Sequence, residues 1–535
     1  NERRPLLTRW VDAGFSIVRR IYERMLDVAL ALRWLIVAVA LLVAVAAWPL
    51  YSESRRELAP TEDMSHISMF FEVAPDATIE AVDEASKQVV AQVKQIDEAK
   101  FMWSLVANWG GFGGMVAKNW KERHRSTEEL YGQLFGMVSQ VPGVTAYPRL
   151  DPPLPTSGQF DVELVLQSSL PVEDLLQTTM AVVGMGFQSG KFQFVDTNLK
   201  IDRPEARVQI DRERVADLGM DLQSVGRELG ALLGGGYVNR FNYFDRSYKV
   251  IPQIGQAERA TVGPLLDLKI KTPSGDLVPV SAFTTIEAFA APRTLNRFQQ
   301  RNAVKIYGGV APGVTKEEGL RVLEEAARAV AGPDVSIDYA GESRQIRHEG
   351  SSLVETLGFA ILLVYLVLAA QFRSFRDPLI VLLGSVPLAI SGALIFTYID
   401  WTTINVYSQV GLITLVGLIA KNGILIVEFA NTLQERGMAK FAALREASAT
   451  RLRPVLMTTA ATIFGHLPLV FVTGPGAAAR NSIGNVLVSG MALGTLFTLF
   501  VVPVFYVLIA RDHQKAAARE TLPAHAADDA TPEFA

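Results

Sequence analysis

The sequence predicts an α-helical membrane bundle of six spans that is interrupted by one large insert of α+β structure. Hydrophobic residues make up 49% of the 535 residues, and the mean hydropathy is positive. Six long segments carry almost no charged side chain, and each is long enough to cross about 30 Å of hydrocarbon. Between the first and second of these segments, residues 52–350 have the mixed composition of soluble α+β structure.

The predicted spans divide into one near the start of the chain and five near its end. The first is residues 33–51, and the other five lie within residues 351–511. These five correspond to the segments 356–372, 378–399, 401–427, 454–479 and 481–510, which are uncharged apart from Lys421 and His466. Lys and Arg are concentrated after the second, fourth and sixth spans. The positive-inside rule therefore predicts that both ends of the chain are cytoplasmic and that residues 52–350 lie across the membrane.

The two ends of the chain have distinct patterns. Residues 1–32 place apolar side chains at spacings of three and four and carry several arginines, which predicts an amphipathic linker helix on the cytoplasmic membrane surface. Residues 512–535 are rich in alanine, which predicts a disordered cytoplasmic tail. Because the chain begins with Asn1, we expect a fragment or a processed piece of a longer polypeptide.

Strand and helix patterns alternate through the insert. Strands are predicted at 67–73 and 101–106 on either side of a helical pattern, and the same order recurs at 304–310 and 335–339. Residues 160–195 give a further strand–helix–strand unit. Thr315 and Glu318 form a capping-box pattern before the later helix. Together these patterns predict ferredoxin-like split β-α-β subdomains and an internal repeat.

Residues 209–289, between the repeats, have a different character. Three glycines at 234–236 precede alternating aromatic and basic side chains, which predicts a long exposed hairpin. Such an arm either docks onto a neighbouring subunit or packs against its own domain, and the sequence leaves both possibilities open.

The composition gives no support to several classes of function. There is no cysteine, and the six histidines are scattered, so no thiolate site and no metal-binding set emerges. The glycine-rich segment 111–114 lacks the Lys-Ser/Thr pair of a phosphate-binding loop. No nucleophile–base pair is recognisable, and the net charge of −4 gives no reason to expect a nucleic-acid partner. We therefore predict that work against a gradient would be driven by ions.

Lys421 is the most unusual residue of the predicted bundle. A lysine near the middle of a span costs roughly 3 kcal/mol on insertion scales. On the next predicted span, Arg451 and Thr458 are seven residues apart and share one helix face. With Lys421 and the adjacent Asn422 they are expected to form one polar cluster.

A charged group in such a cluster needs a carboxylate partner. The carboxylates of these spans lie only at the span ends, so the partner is expected from outside this chain. The alternative is that Lys421 lies at the cytoplasmic end of its span and that its ammonium group reaches the headgroups.

Four motifs carry a resemblance to a known family. They are Gly417-Leu-Ile-Ala-Lys421-Asn422-Gly-Ile-Leu-Ile-Val-Glu428-Phe429-Ala430, Arg451-Leu-Arg453-Pro454-Val-Leu-Met-Thr458-Thr459, Val502-Pro503-Val-Phe505 and Gly234-Gly-Gly-Tyr-Val-Asn239. From about residue 33 to residue 511, the chain resembles the second half of a resistance–nodulation–division (RND) efflux transporter of the hydrophobe and amphiphile class.

The resemblance implies a role for each part of the chain. Lys421, Arg451 and Thr458, supported by Asn422, look like a proton relay that two aspartates in the absent first half complete. Residues 56–208 and 290–345 resemble a periplasmic porter module, and residues 209–289 resemble its docking subdomain. The resemblance also implies a homotrimer of full protomers in the bacterial inner membrane, with a periplasmic adaptor protein and an outer-membrane channel as partners.

Contacts with amphiphilic small molecules are implied for an aromatic, glycine-rich loop at residues 102–112 and for its neighbouring strands. This loop looks shorter than is usual in the family, and Tyr147 with the proline-rich run 148–155 resembles a loop at the pocket entrance. The implied contact residues are Trp103, Trp109, Phe112, Tyr147, Phe160 and Val162. The alternative for these side chains is ordinary core packing.

The implied function is proton-driven export of hydrophobic or amphipathic compounds such as drugs, detergents and biocides. The protein would then be a secondary antiporter rather than an enzyme, with protons as coupling ions and no cofactor. One alternative is a relative of the same fold that moves lipids or assists protein translocation without exporting drugs. Another is a membrane scaffold or sensor without transport. Metal export is disfavoured because no Met/His cluster lines the spans.

Overall fold

The computed structural model describes residues 6–107, 109–154, 158–255, 258, 261–349 and 352–512. Two helices open the chain, α1 (Leu6–Ala31) and α2 (Arg33–Glu53). Tyr22 and Leu26 of α1 are buried, and the Tyr22 hydroxyl donates to the carbonyl oxygen of Leu499 at 2.9 Å. α1 therefore packs against the last helix of the chain. The predicted tail lies outside the described residues from residue 513 onward.

Residues 66–150 form a first α/β unit. Its elements are β1 (His66–Val73), α3 (Ile79–Val93), β2 (Ala99–Ala107), β3 (Gly110–Ala117), α4 (Thr127–Val138) and β4 (Val144–Leu150). The strands form an antiparallel sheet in the order β2-β3-β1-β4. Ile67, Met69 and Phe71 are buried in a core with residues of α3 and α4. The intervening residues of β1 point to the opposite face of the sheet, which no helix of this unit covers.

The next elements run from residue 162 to residue 349. They are β5 (Val162–Ser168), α5 (Leu176–Gln188), β6 (Phe192–Thr197), β7 (Ile201–Ile210), α6 (Arg212–Asp217), α7 (Leu222–Leu233), β8 (Asn239–Tyr243), β9 (Arg246–Val250), α8 (Gly263–Leu266), β10 (Lys269–Lys271), β11 (Leu277–Pro279), β12 (Thr284–Pro292), β13 (Arg297–Phe298), β14 (Arg301–Val310), α9 (Lys316–Val330), β15 (Val335–Tyr339) and α10 (Gly341–Glu349).

A second α/β unit is assembled from two distant parts of this series. The second sheet is antiparallel and contains β6, β14, β5 and β15 in that order, with the short β13 as a fifth strand paired to β14. Its four main strands have the same order as those of the first sheet. The core beneath it combines Leu164 of β5 with Leu320 and Leu323 of α9, all of which are fully buried. Thr315 caps α9 by accepting a hydrogen bond from the backbone N–H of Glu318 at 3.2 Å.

The two sheets divide the chain differently from the predicted repeat. The segment 304–339 is not an independent copy of 67–106, because it completes the sheet that β5 and β6 begin. The first sheet is completed instead by β3 and β4, which were not predicted from the sequence. β4 contains Pro148 and Arg149, and these residue types are more typical of a loop than of a strand.

The segment between the two parts of the second unit leaves it through a two-stranded ribbon of β7 and β12. Within the segment, β8 and β9 pair only with each other, and every residue of both strands is exposed. Phe241 and Tyr248 stack across this hairpin with ring centroids 5.7 Å apart. Within the described chain the hairpin is therefore not packed against its own domain.

Five helices complete the described chain. They are α11 (Ser352–Phe372), α12 (Arg376–Tyr398), α13 (Val406–Glu435), α14 (Lys440–Val470) and α15 (Ala477–Ile509). Among the described residues, the five helices α2, α11, α12, α13 and α15 are long and apolar enough to cross a membrane.

The predicted span at 454–479 is not among those five helices. It falls mainly within α14, where three threonines and His466 lower the hydropathy. α14 also ends at Val470, nine residues earlier than predicted. The chain turns there through Gly474 and Gly476, whose φ angles are 100° and 69°.

The helices of the bundle pack closely at small residues. A Cβ added to Gly490 of α15 would lie 2.3 Å from a methyl carbon of Leu415 on α13. A Cβ added to Gly494 would lie 2.6 Å from the Cβ of Ala389 on α12. Small residues allow helix backbones to approach one another where hydrophobic association alone gives no drive. α15 is thereby held against both neighbours.

A short strap joins the insert to the bundle. Residues 55–58, which follow α2, are hydrogen-bonded to residues 403–406, which lead into α13. The Ile404 N–H donates to the Arg55 carbonyl at 2.8 Å, and the Glu57 N–H donates to the Ile404 carbonyl at 3.1 Å. Asn405 then caps α13 through its side chain. The insert is therefore anchored at the first residues of α13.

A buried ion pair stabilises the first α/β unit. Arg123 Nη2 lies 2.7 Å from Asp63 Oδ1, and the two side chains are 1% and 9% exposed. Burial alone would raise the pKa of Asp63, but hydrogen bonds from Arg123 and from the backbone N–H groups of Thr127 and Ser65 hold it below its usual value.

We predict that Arg123→Ala lowers the free energy of unfolding of this unit by about 3–5 kcal/mol, because Asp63 loses its cation while it remains buried. The measurement is amide hydrogen exchange in β1 and α4. Arg125→Ala is the matched control, since its pair with Glu98 has an arginine that is 42% exposed and is worth about 1 kcal/mol or less. Equal effects of the two variants would contradict the prediction.

The Arg123–Asp63 pair also predicts the direction in which the stability of this unit changes with pH. A folded-state pKa below the unfolded value gives stability that is complete at neutral pH and is lost as the pH falls through the folded pKa. Acidification should therefore destabilise the wild-type unit more than the Arg123→Ala unit.

Candidate functional site

Lys421 lies on a face of α13 that the rest of the described chain leaves uncovered. It is exposed, as are Thr414 and Gly417, which precede it on the same side of the helix. Val410, one further turn back, is 50% exposed. Lys421 forms no hydrogen bond or ion pair with any described residue. A stripe of α13 about three turns long is thus open around one ammonium group.

Asn422, the next residue, lies about 100° further around the helix and joins three helices. It is 1% exposed, and its Nδ2 donates to Thr459 of α14 at 3.3 Å and to Thr495 of α15 at 3.1 Å. The two threonine hydroxyls lie 3.2 Å apart and share a further hydrogen bond. We call Asn422, Thr459 and Thr495 the polar clamp. It fixes the rotation of α13, so that Lys421 is directed away from its own bundle.

The predicted partners of Lys421 lie on α14 at two different levels. Thr458 is adjacent to Thr459 and therefore lies near the level of the polar clamp. Its hydroxyl donates to the carbonyl oxygen of Val455 at 3.1 Å. Arg451 is seven residues earlier, about 10 Å along the helix axis, and its guanidinium carbon lies 4.6 Å from the ring centroid of Phe429.

The structure therefore does not join Lys421, Arg451 and Thr458 in one contact cluster. No described hydrogen bond links any two of them, and the buried Nε of Arg451 has no hydrogen-bond partner among the described residues. Lys421 lies instead on the exposed side of α13, and Arg451 lies on α14 about two turns from Thr458.

The described carboxylates of the bundle are located at its margins. Glu428 is exposed on α13, two turns after Lys421. Asp377, at the start of α12, accepts a hydrogen bond from Asn431 at 3.2 Å. Asp400 lies 3.5 Å from Arg55 beyond the end of α12. Within the described chain, Lys421 has no carboxylate at its own level.

A second candidate site lies between the two α/β units. It is a cavity of about 550 Å³, lined by the predicted residues Trp109, Tyr147 and Phe160 together with Phe70 and Tyr307. This volume falls within the range of small-molecule pockets, about 300–1,000 Å³.

Stacked aromatic rings form the wall of this cavity. Phe160 stacks on Tyr307 with centroids 4.1 Å apart and meets Tyr147 edge-on at 6.3 Å. Phe70 approaches Phe160 at 5.8 Å. Tyr307 was not predicted as a site residue. It lies on β14, far along the chain from Phe160, and no local sequence pattern distinguishes it from other strand residues.

An ion-pair network closes one side of the cavity. Lys200 Nζ lies 2.6 Å from Glu72 and 2.9 Å from Asp196, and Arg293 Nη1 lies 2.8 Å from Glu72. The Tyr147 hydroxyl donates to Asp196. Burial, and then the charge of Asp196, raises the pKa of Tyr147 well above its usual value, so this hydroxyl stays protonated at neutral pH.

Trp103 and Phe112 lie on the open face of the first sheet rather than in a loop. The segment 102–112 is the hairpin of β2 and β3, and its residue 108 lies outside the described residues. Leu105, Phe112, Phe70 and Tyr147 are aligned across the four strands by their register. Of the aromatic residues predicted as a loop, Trp103 and Phe112 therefore lie on one face of a sheet, and Trp109 lies in the turn between its strands.

The glycines of β3 permit this arrangement. A Cβ on Gly114 would lie 2.3 Å from His66 Nε2, whose ring stacks on Trp103 with centroids 6.2 Å apart. Val162 has a different environment, since it is fully buried in the core of the second unit and does not line the cavity. Tyr147 lies within β4, and not in the entrance loop that the resemblance implies. Among the described residues, no group of His, Cys, Asp and Glu is arranged to hold a metal ion.

Comparison with known proteins gives the family. The profile of the AcrB/AcrD/AcrF family matches residues 1–510. An uncharacterized transporter of Haemophilus influenzae is 33% identical over 515 residues, which are 94% of this chain and 50% of that protein. The multidrug export protein AcrF of Escherichia coli is 32% identical over 479 residues, covering 84% of this chain and 45% of AcrF.

A third relative is the solvent-resistant pump membrane transporter SrpB of Pseudomonas putida, which is 29% identical over 518 residues, or 94% of this chain and 49% of SrpB. The chain spans about half the length of the curated relatives that it matches. The match over residues 1–510 and the two identities above 30% agree with the motifs around Lys421 and Arg451. The chain belongs to the AcrB/AcrD/AcrF family of RND efflux transporters.

Proposed function

We propose that this chain is the second half of a proton-driven exporter of hydrophobic and amphipathic compounds, and that Lys421 is its contribution to the proton relay. The observation that carries this proposal is the exposed, unpartnered Lys421 on an apolar helix whose opposite side is held by the polar clamp. Uncompensated cations in membrane spans are rare and mark ion pathways. In this function the chain acts as part of a secondary transporter and not as an enzyme.

In the proposed topology, α14 is the sixth span. This topology is supported by the burial of Thr459 against α13 and α15, both of which are apolar enough to cross a membrane. The threonines and His466 then face protein rather than lipid, as polar residues of spans usually do. In the same topology, the two α/β units are ferredoxin-like porter subdomains on the periplasmic side of the bacterial inner membrane.

The missing first half supplies the carboxylates. It packs against the open stripe of α13 and brings two aspartates to Lys421, with Arg451 and Thr458 alongside. Three complete protomers assemble as a trimer, to which the exposed β8–β9 hairpin contributes an arm. A periplasmic adaptor and an outer-membrane channel complete the export path.

Transport follows from a change in the charge of the relay. Protonation of the aspartates removes the attraction that holds Lys421, and the equilibrium between two positions of α13 shifts. Because Asn405 begins α13 and its neighbours are hydrogen-bonded to residues 55–58, a shift of α13 also moves the chain that enters the insert. The cavity between the α/β units then opens or closes on its ligand.

We predict that Lys421→Ala in the complete transporter abolishes export while leaving folding and trimer formation intact. The reason is that Lys421 has no hydrogen bond or ion pair with a described residue, so its removal leaves the bundle folded and the aspartates without a cation. The measurement is dye efflux from cells that lack other exporters, with trimer formation assessed in detergent.

Lys269→Ala, which removes an exposed lysine from β10 of the insert, is the matched control and should export normally. Full export by Lys421→Ala would rule out the relay.

We also predict that Phe160→Ala weakens export of amphipathic aromatic compounds about tenfold, because the cavity wall loses an aromatic ring against which such a compound would pack. An aromatic contact contributes roughly 0.5–1.5 kcal/mol beyond burial, and about 1.4 kcal/mol corresponds to a factor of ten. The measurement is the concentration of each compound that gives half-maximal efflux.

Phe187→Ala, which removes a 60% exposed phenylalanine of α5 outside the cavity lining, is the control. Unchanged efflux in Phe160→Ala would indicate that the cavity does not bind the exported compound. Proton flux without any drug competing for the cavity would favour a lipid or protein-translocation role.

A further inference from the structure

A groove of about 530 Å³ lies between α1, α2 and α15. Its walls include Val28 of α1, Val39 of α2 and the α15 residues Leu496 and Phe500. Arg24, at one end, is the only charged residue among those described as lining it. The groove is thus an apolar channel with a cation at its mouth.

The groove is separate from the surface around Lys421. Thr495 of α15 points to the polar clamp, whereas Leu496 and Phe500 point about 100° and 140° away from it around the helix axis. Leu496 is 55% exposed and Thr495 is 4% exposed. A protein segment that covers Lys421 would therefore lie on the other side of α15.

The dimensions of the groove favour a single extended chain. Its apolar lining runs from Met25 of α1 to Ala40 of α2 and from Leu496 to Val501 of α15. The groove is also open along its length, because Val28 and Val39 are 57% and 42% exposed. An acyl chain of a membrane lipid is long, thin and apolar, which matches both features.

The charges of α1 favour a negatively charged headgroup. Glu23 is paired with Arg19 at 2.7 Å, and Asp27 is paired with Arg445 at 2.9 Å. The described ion pairs do not include Arg24, which is exposed at the mouth of the groove. Arg20, one turn earlier on α1, donates only to the backbone carbonyl of Ser16 at 3.3 Å among the described contacts. Glu23 and Asp27 are thus neutralised by arginines, and Arg24 remains available to a phosphate.

We propose that this groove binds one acyl chain of an anionic phospholipid whose phosphate contacts Arg24. The site is independent of the proton relay, since it shares no residue with the polar clamp or with the surface around Lys421. Its ligand is a structural lipid and not an exported compound. Attraction to the phosphate gives headgroup preference, and the groove gives affinity for the chain.

The experiment is native mass spectrometry of the complete, delipidated transporter, titrated with phosphatidylglycerol or with phosphatidylethanolamine of the same acyl chains. The wild type should bind phosphatidylglycerol more tightly. Arg24→Gln should weaken phosphatidylglycerol binding about fivefold and leave phosphatidylethanolamine unchanged, while Arg24→Lys should retain most of the preference. Arg376→Gln is the matched control, because Arg376 is an exposed arginine at the start of α12, outside the groove.

A second pair of variants tests the groove itself. Val39→Trp fills it and should remove one bound lipid of either type, whereas Leu363→Trp, at a 66% exposed position of α11, should not. Equal phosphatidylglycerol binding by Arg24→Gln and wild type would overturn the headgroup assignment. An unchanged number of bound lipids in Val39→Trp would overturn the site.

Discussion

A charged ammonium group in an apolar helix requires a partner, and the bundle is organised around this requirement at Lys421. Several other polar groups of the bundle are satisfied internally. The amide of Asn422 is bonded to two threonines, the Tyr506 hydroxyl donates to Asn431, and the Lys440 amine donates to the carbonyl oxygens of Val507 and Ala510. Lys421 differs from them because it lies on the open face of α13. The unmet requirement and the uncovered surface coincide, which is the physical basis for placing a carboxylate-bearing neighbour there.

The polar clamp and the strap give the Lys421 helix two fixed points. Asn422 ties the middle of α13 to α14 and α15, and the residues before Asn405 tie its beginning to the insert. Both attachments are direct hydrogen bonds, and Gly490 of α15 packs closely against Leu415 of α13 between them. In the proposed mechanism, a displacement of α13 would therefore reach the insert through contiguous contacts. The polar residues of the bundle mainly fix the positions of the helices, since each hydrogen bond adds only a modest net stabilisation.

The cavity in the insert depends on residues that are remote in sequence. Phe70 and Tyr147 come from the first sheet, Phe160 from the connection between the units, and Tyr307 from β14. The long segment with the exposed hairpin separates the last of these from the others. Closure of the second sheet by β14 is what brings Tyr307 onto Phe160. Aromatic walls with one charged side suit ligands that are largely apolar and carry a polar group.

The sequence by itself determined the features that depend on local composition and period. Uncharged segments predicted the apolar helices, alternation predicted most strands, and the cost of a lysine in a span singled out Lys421. The family follows from the same local motifs, and the match over residues 1–510 confirms it. Tertiary structure decided which strands share a sheet, because pairing joins β5 and β14 across an intervening segment that carries no register information.

The same distinction applies within the sites. Only the packing reveals that Asn422 faces inward while Lys421 faces outward, that Lys421, Arg451 and Thr458 form no contact cluster, and that Val162 is core. The polar side chains of α14 lower its hydropathy, so it is not among the described helices that are apolar enough to cross a membrane, although the sequence predicted a span there. Periodicity reports which face of an element is buried, whereas the identity of the neighbour on that face depends on contacts between distant parts of the chain.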